Sequence, residues 1–351
     1  MTIAAQYPSA YNVFVPNASA TNNLIVDFAR NPDDFSINKY IQVVKSERNT
    51  GLYTKMTNEV CARYMNDGKG SAWAYGTERD KGYHNLESFK MEMYRTFRWQ
   101  RSVTLDHDTI KQAAWNITDQ YNRILAAQAM TARTMQVIET MTNPNNYAGV
   151  TGHVVDVDAT EGLGFWDTSI TADLWIKKTI NMARTTIRKD TLGNVQSKDL
   201  VMVMGPDVAQ ALSESQEIVD YIKASPDALR QVEGKLGGGE YDLPAQLYGI
   251  PVIVEDCTIV TSPKGAPRAT QFAFPAGTCA IVSRPGGLVG ASGGPNFSTV
   301  VLFAKEEMTT ESFDSPKDRY TQLSITEDYV AELVAPVSGV LLTNLLSTNA
   351  A

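Results

Sequence analysis

The chain carries three histidines, His84, His107 and His153, and three cysteines, Cys61, Cys257 and Cys279. Metals and reactive nucleophiles most often use these residue types. Asp106-His107-Asp108 lines up metal-binding side chains in sequence. A metal site needs ligands that converge, and no second histidine stands at ligand spacing. Adjacent residues at a helix start point in different directions, so the triplet reads as capping and surface polarity, with Asp106 or Asp108 as the cap. The sequence has no His-Glu-x-x-His pair and no Cys-x-x-Cys pair.

Candidate nucleophiles are weak as well. Cys257 follows Glu255-Asp256, and two acids raise a thiol pKa rather than lower it. Cys61 beside Arg63 is a poor thiolate candidate. Ser292 in Gly290-Ala291-Ser292-Gly293-Gly294 only imitates a nucleophile elbow, because it sits in a linker-like run. Gly237-Gly238-Gly239 and Gly286-Gly287 lack the Lys-Ser/Thr that completes a phosphate-binding loop. Glu306-Glu307, and Glu78 with Asp80, read as solvated charges. Lys90, Arg95, Arg98 and Arg101 gather around aromatic residues. That mixture could track single-stranded nucleic acid, but a charged ribbon face meeting an acidic neighbour is the favoured reading. The expectation is therefore no catalytic residue, no cofactor-binding residue, no metal ligand and no cofactor.

The bulk composition narrows the class. The chain has 351 residues, 43% hydrophobic and 20% charged, which is ordinary for a folded protein of about one to three domains. A net charge of -8 implies no general basic surface for nucleic acid or anionic lipid, although local patches remain open. An odd number of widely spaced cysteines fits a reducing compartment, with a Cys257–Cys279 bridge conceivable only in an oxidising one. The opening residues lack the basic start and apolar core of a signal peptide. No apolar run has the length needed to span a bilayer. The sequons at Asn17, Asn116 and Asn296 carry no meaning without secretion.

The elements that would position any site are unusual. Residues 1–50 are broken by Pro8, Pro16 and Pro32 and read as an arm, with a strand-like piece from Ile37 to Ser46. Residues 51–103 hold Gly68, Gly70, Gly76 and Gly82 among Trp73, Tyr75 and Tyr83. In FKMEMYRTFRW, Phe89, Met91, Met93, Phe97 and Trp99 alternate with polar residues, predicting one half-buried strand of a long ribbon. An isolated ribbon is marginal in water, so its other face needs a neighbour.

From 106 to 141, Ile110, Ala114, Ile117, Tyr121, Ile124/Leu125, Gln128, Ala132, Met135 and Ile138 recur at helical steps, and Asn143-Pro144-Asn145 stops the run. At 1.5 Å per residue that predicts a helix of about 50 Å lying across a sheet. After a turn at GLGFWD (162–167), a second helix is expected over 171–188. Leu200–Met204, Ile250–Val254 and Cys279–Val282 read as strands, with a helix starting after Pro206. FSTVVLFAKE and YTQLSITEDYVAELVAPVSGVLLTN read as closing strands that pack under a helix.

The order of these elements resembles the major capsid proteins of tailed bacteriophages, with the Hong Kong 97-like fold. The likeness covers nearly the whole chain. KYIQVVKSERNTGLYTKM resembles the arm leading into an extended loop, and WAYGTERDKGYHNLESFKMEMYRTFRW the loop and its returning strand. TLDHDTIKQAAWNITDQYNRILAAQAMTART resembles the entry to a spine helix. DLVMVMGPDVAQAL, LYGIPVIVEDC and PAGTCAIVSRPGG resemble axial-domain segments, and VAPVSGVLLTN the last strand of the peripheral domain. The implied fold class is α+β. Its implied parts are an N-terminal arm (1–50), an extended β-ribbon loop (51–103), a peripheral domain with the spine helix (104–195), an axial domain (196–290) and peripheral return strands (291–351).

The resemblance implies pentamers and hexamers of this chain closing an icosahedral shell around double-stranded DNA, without sequence-specific contact. It further implies a virion protein, assembled in the cytoplasm of a bacterial host. A separate scaffolding protein is expected because the arm begins close to Met1. A portal and cement proteins are further expected partners, and a membrane is not. The alternatives are an encapsulin-like shell around a protein cargo and, more remotely, an α/β enzyme. Lys69, Lys81 and Asn85 lie where some relatives cross-link, but no motif marks them.

Limited proteolysis with mass spectrometry tests the ribbon. Cleavage around 68–82 is expected in free subunits and protection in assembled ones, because glycine-rich segments gain order from a partner surface. Equal protection in both states would count against an intersubunit role.

Overall fold

The computed structural model describes residues 34–57, 75, 91–113, 116–224, 241, 243–263, 265–284 and 297–347. The chain begins with a short helix α1 (Ile37–Tyr40) and strands β1 (Gln42–Lys45), β2 (Thr50–Thr54), β3 (Met91–Arg95) and β4 (Phe97–Asp106). Helices α2 (His107–Gln112) and α3 (Ile117–Thr142), strand β5 (Val154–Asp156) and helix α4 (Trp175–Asp190) follow. Next come strand β6 (Leu200–Met204) and helices α5 (Pro206–Glu214) and α6 (Gln216–Ala224). The remaining strands are β7 (Gln246–Leu247), β8 (Ile250–Val254), β9 (Thr258–Val260), β10 (Thr270–Phe272), β11 (Cys279–Ser283), β12 (Val300–Ser315), β13 (Tyr320–Leu333) and β14 (Val340–Thr343).

The described chain forms two units. The larger is built on Ser36–Thr96, Arg133–Lys305 and Val330 onward, the smaller on Phe97–Ala132 and Glu306–Tyr329. In the larger unit a six-stranded sheet runs β5-β14-β11-β6-β8-β7. β6 pairs parallel to β8 and antiparallel to β11. Met202, Met204, Cys279 and Ile281 pack with Ile176, Ile180, Ala183 and Ile187 of α4 and with Val208, Ala209 and Leu212 of α5. Val203, Ala280 and Leu341, the alternate residues, are fully buried too. A strand covered on both faces has to be apolar throughout, which explains the unbroken LVMVM of β6.

Helix α4 buries positions 176, 180, 183 and 187, an i, i+4, i+7, i+11 stripe. Before it, Gly164 allows close approach of backbone and ring: a Cβ there would lie 2.5 Å from Cδ2 of Trp175. Helix α5 starts at Pro206, whose missing N–H costs nothing in a first turn.

In the smaller unit β4 pairs antiparallel with β13, from Asp106↔Tyr320 to Phe97↔Tyr329. Leu125 and Ala129 of α3 pack on Leu105, Leu323 and Ile325. This is the expected sheet beneath a helix.

Several elements differ from the sequence expectation. The helix anticipated over 106–141 is two helices, because Ala113 is extended and Asn116 starts a new one. Its side-chain Oδ1 accepts the Asp119 N–H at 3.3 Å. Helix α3 has 26 residues, about 39 Å. Its buried row holds Leu125, Ala129, Thr134, Val137, Ile138 and Met141. Gln128 and Met135 of the anticipated stripe are exposed. Ile117, Tyr121, Leu125 and Ile138 of that stripe do pack inward.

Ile37–Ser46 is a helical turn followed by β1, not a continuous strand. FKMEMYRTFRW is split at Thr96 into β3, which pairs with β2, and β4, which pairs with β13. The second long helix spans 175–190 rather than 171–188, since Leu174 adopts a left-handed conformation (φ 54°) at its start. Val340–Thr343 joins the six-stranded sheet between β5 and β11, not the sheet of β12 and β13, after a turn at Pro336–Ser338. β6 and β8 coincide with the expected strands, and β11 extends one residue further.

Residues 1–33 of the arm and most of the ribbon lie outside the described residues, with Cys61, Lys69, Trp73, Glu78, Asp80, Lys81, Tyr83, His84, Asn85, Phe89 and Lys90. So do Gly68, Gly70, Gly76 and Gly82, the runs at 237–239 and 286–287, and Ser292.

Replacing Asn116 by Ala should lower stability by about 1 kcal/mol, the usual cost of a lost cap, while Asn116→Ser, which keeps an accepting oxygen without facing a second carboxylate on Asp119, should cost less. Denaturant titration of both variants checks this. An unchanged midpoint for Asn116→Ala would remove Asn116 as the cause of the helix break.

Candidate functional site

Among the described residues, those that could carry chemistry do not converge. His107 Nε2 lies 2.6 Å from Asp314 Oδ1, and Asp106, one of the two expected caps, makes no side-chain cap bond. The interaction with Asp314 orients the histidine along β12 instead. His153 is fully buried. Its Nδ1 is 2.6 Å from the Gly339 carbonyl and its Nε2 is 2.7 Å from Asp190 Oδ2. That places both ring nitrogens in structural contacts.

Cys257 and Cys279 are buried thiols outside any disulfide. Burial pushes the Cys279 thiol well above its ordinary pKa, the opposite of what a nucleophile needs. Among the described residues there is no group of three or more His, Cys, Asp or Glu able to hold a metal. No described helix is long and apolar enough to cross a membrane.

Arg98 was expected to face a neighbour's acid. It is instead bidentate to Asp328 within the smaller unit, with Nε at 2.9 Å and Nη2 at 3.0 Å, and Nη2 also reaches Glu306 at 3.3 Å. The β4–β13 register sets Arg98 opposite Asp328, and a forked guanidinium suits a carboxylate.

The base of the ribbon is the most specific construction. β2 and β3 pair antiparallel, with Leu52 opposite Met93 and Thr54 opposite Met91. One face holds Tyr53, Glu92 and Tyr94. The Tyr94 ring stacks on Phe303, centroids 4.1 Å apart and planes 3° from parallel, and Tyr53 lies 5.7 Å from Phe303. Gly51 is required there, because an added Cβ would fall 2.6 Å from Tyr94 Cε1. Tyr94 and Ser46 share a hydroxyl hydrogen bond at 2.8 Å.

The other face exposes Leu52 (67%), Met91 (59%) and Met93 (67%). The alternation in the sequence therefore marked two faces correctly and assigned the wrong one to this chain's own interior. Phe97 and Trp99, from the same expected stripe, are likewise exposed. The tyrosines explain the reversal for β3, since they combine ring stacking with hydroxyl bonds that the methionines cannot make.

A small ionic cluster completes the ribbon base. Glu92 Oε2 accepts from Lys55 Nζ and from the Tyr53 hydroxyl, each at 3.2 Å. Burial raises the Glu332 pKa above the ordinary carboxylate value; Glu92 adds to the rise and Lys55 offsets part of it.

The start of the chain is pinned rather than loose from residue 36 onward. The Tyr40 hydroxyl donates to Glu255 Oε2 at 2.8 Å, and Ser36 Oγ donates to the Val254 carbonyl at 3.3 Å. Arg284 donates to the Lys39 carbonyl. Glu255 is fully buried and also accepts the Cys257 N–H at 3.3 Å. Burial, then the adjacent Glu255, holds the Tyr40 phenol in its neutral form.

Sequence reasoning also missed Glu217. It is 2% exposed and accepts from Ser169 Oγ (2.5 Å), the Ile176 N–H (3.1 Å), the Lys177 N–H (3.0 Å) and the Tyr248 hydroxyl (2.7 Å). No local signal marks a cap supplied from 40 residues away.

Comparison with known proteins locates this arrangement. No protein-family model matches the chain. No curated protein matches its sequence. Solved structures do. A phage-related protein from Bordetella bronchiseptica RB50 superposes with a TM-score of 0.58 at 12% identity, over 88% of this chain and 91% of that one. The capsid of cyanophage P-SCSP1u gives 0.56 at 9% identity, over 95% and 93%. The capsid of an empty GTA particle gives 0.52 at 15% identity, over 98% and 99%. The chain has the Hong Kong 97-like capsid fold.

Glu332 provides a pH test. With its pKa raised on folding, the folded state binds more protons than the unfolded state between the ordinary and the raised value. Stability from this group is therefore gained as pH falls through that window and lost as it rises. Glu332→Gln should raise the melting temperature at neutral pH and flatten its dependence on mildly acidic pH. A variant less stable than the parent at neutral pH would show that the carboxylate's attraction to Lys55 dominates instead.

Proposed function

We propose that this chain is the major capsid protein of a tailed bacteriophage or a closely related particle. It self-assembles into pentamers and hexamers that close an icosahedral shell around double-stranded DNA. The observation that carries this reading is the capsid fold over 95% of the chain in the comparison with the cyanophage capsid. On this reading β6, β8 and β11 of the six-stranded sheet belong to the axial domain (196–290), residues 51–103 form the extended loop, and the arm (1–50) reaches a neighbour with the part that precedes the fastening at Ser36 and Tyr40. The apolar outer face of the ribbon base, Leu52, Met91 and Met93, would be covered by another copy. The protein acts by repeated contact rather than catalysis. A separate scaffolding protein, a portal and cement proteins are its proposed partners, in a virion assembled in a bacterial cytoplasm. A cargo-filled encapsulin is the less favoured reading, because the three structures compared above are a phage-related protein, a cyanophage capsid and a GTA capsid.

Sedimentation and electron microscopy of the purified chain, alone and with its scaffold, should reveal capsomers or closed shells. Removal of residues 1–33 should impair closure more than folding, since the buried contacts of Ser36 and Tyr40 remain. A compact monomer under every salt and concentration condition, scaffold included, would defeat the proposal.

A further inference from the structure

The larger unit contains a basic cavity that the capsid reading does not use. It lies along the exposed side of α4 and measures about 330 Å³. Asn181, Arg184, Thr185, Arg188 and Lys189 line it, with Val195, Ser197 and Leu200. Positions 181, 184, 185 and 188 fall on one face of the helix, opposite the buried stripe. Val195 and Leu200 are buried and form an apolar floor. Three cationic side chains therefore converge in a lining with no carboxylate, within a chain of net charge -8. The nearby acids are engaged elsewhere: Asp190 with His153, and Asp199 with the Gln196 N–H.

The cavity is organised, not merely basic. Arg184 donates through Nε (3.2 Å) and Nη2 (3.0 Å) to Ser197 Oγ, and through Nη1 to the Tyr248 carbonyl at 3.1 Å. Its guanidinium is thus fixed before any ligand arrives. Ser197 Oγ accepts twice from Arg184, which leaves its own hydroxyl hydrogen to donate into the cavity. Thr185 Oγ1 spends its hydrogen on the Asn181 carbonyl at 2.8 Å, so it adds no donor. Arg188 lies one turn beyond Arg184 and stays exposed, as does Lys189.

We infer that this cavity is a phosphate-binding site, with Arg184 and Ser197 as the preformed part and Arg188 and Lys189 as the closing cations. A tetrahedral oxyanion with several acceptor oxygens matches two guanidinium groups, an ammonium and a hydroxyl donor. The ligand is a phosphate group, either free or within the backbone of a nucleic acid. The second source rests on the proposed packaging of DNA, where backbone contacts bind without reading sequence.

The test uses the full-length purified chain and two probes, inorganic pyrophosphate by titration calorimetry and a labelled mixed-sequence DNA duplex by fluorescence anisotropy. Arg188→Gln and Lys189→Gln change exposed side chains, and thermal melts verify that both variants fold. Each is expected to weaken pyrophosphate binding about tenfold, the scale of a charge-assisted contact. Lys111→Gln, in the smaller unit, should leave it unchanged. If the duplex also binds, competes with pyrophosphate and loses about 0.9 from its salt slope in each variant, the nucleic-acid backbone is the source. Pyrophosphate binding alone identifies free phosphate. No pyrophosphate binding, or binding indifferent to Arg188 and Lys189, overturns the site. Shell formation by the same variants, followed by sedimentation, separates failure of this site from failure of the capsid reading.

Discussion

Glu217 holds the larger unit together at the point where the chain's own local chemistry is insufficient. Helix α4 begins after Leu174, which offers no side-chain cap and adopts a left-handed backbone. Its first-turn N–H groups point into a buried region and would be costly if left unpaired. Glu217 enters from α6, takes the N–H groups of Ile176 and Lys177, and receives two hydroxyls. A buried carboxylate is tolerable only when its lone pairs are met, and here they are. The negative charge also sits at the positive end of the helix. With α4 set in this way, Ile176, Ile180, Ala183 and Ile187 can close one side of the six-stranded sheet.

The same logic recurs where other segments meet this sheet. Glu255 is fully buried, and its oxygens take the Tyr40 hydroxyl and the Cys257 N–H, so the segment entering at residue 36 is fastened by a satisfied acid. His153 ties the loop after α3 both to the end of α4 and to the turn at Gly339. That turn leaves no room for a side chain, since a Cβ on Gly339 would fall 2.5 Å from Thr299 Cγ2. Thr299 in turn accepts the Ser283 N–H at 2.8 Å. These buried polar groups fasten an architecture assembled from distant stretches of chain.

The ribbon base shows how such an architecture separates interior from exterior. Tyr53 and Tyr94 turn inward onto Phe303, and the more apolar Leu52, Met91 and Met93 turn outward. For a self-contained protein that would be a costly inversion. Under the proposed capsid function, the inward face needs geometry and hydrogen bonds, and the outward face needs a surface that gains by being covered.

Much of this was legible in the residues alone. LVMVM and IPVIV announced strands because an all-apolar run bounded by turn residues has few other homes. The order of elements pointed to the capsid fold. What the residues could not decide were matters of partnership between distant segments. Asn116 and Asp119 did carry a readable cap signal, three residues apart, that would have divided the long helix. No local pattern could reveal that Arg98 pairs with Asp328, that β14 joins β11, or that Glu217 caps α4. Periodicity reports that an element has two unlike faces. Which face is buried, and by what, is set by whichever distant surface offers the better packing and satisfies the polar groups, and only the folded chain brings that surface into place.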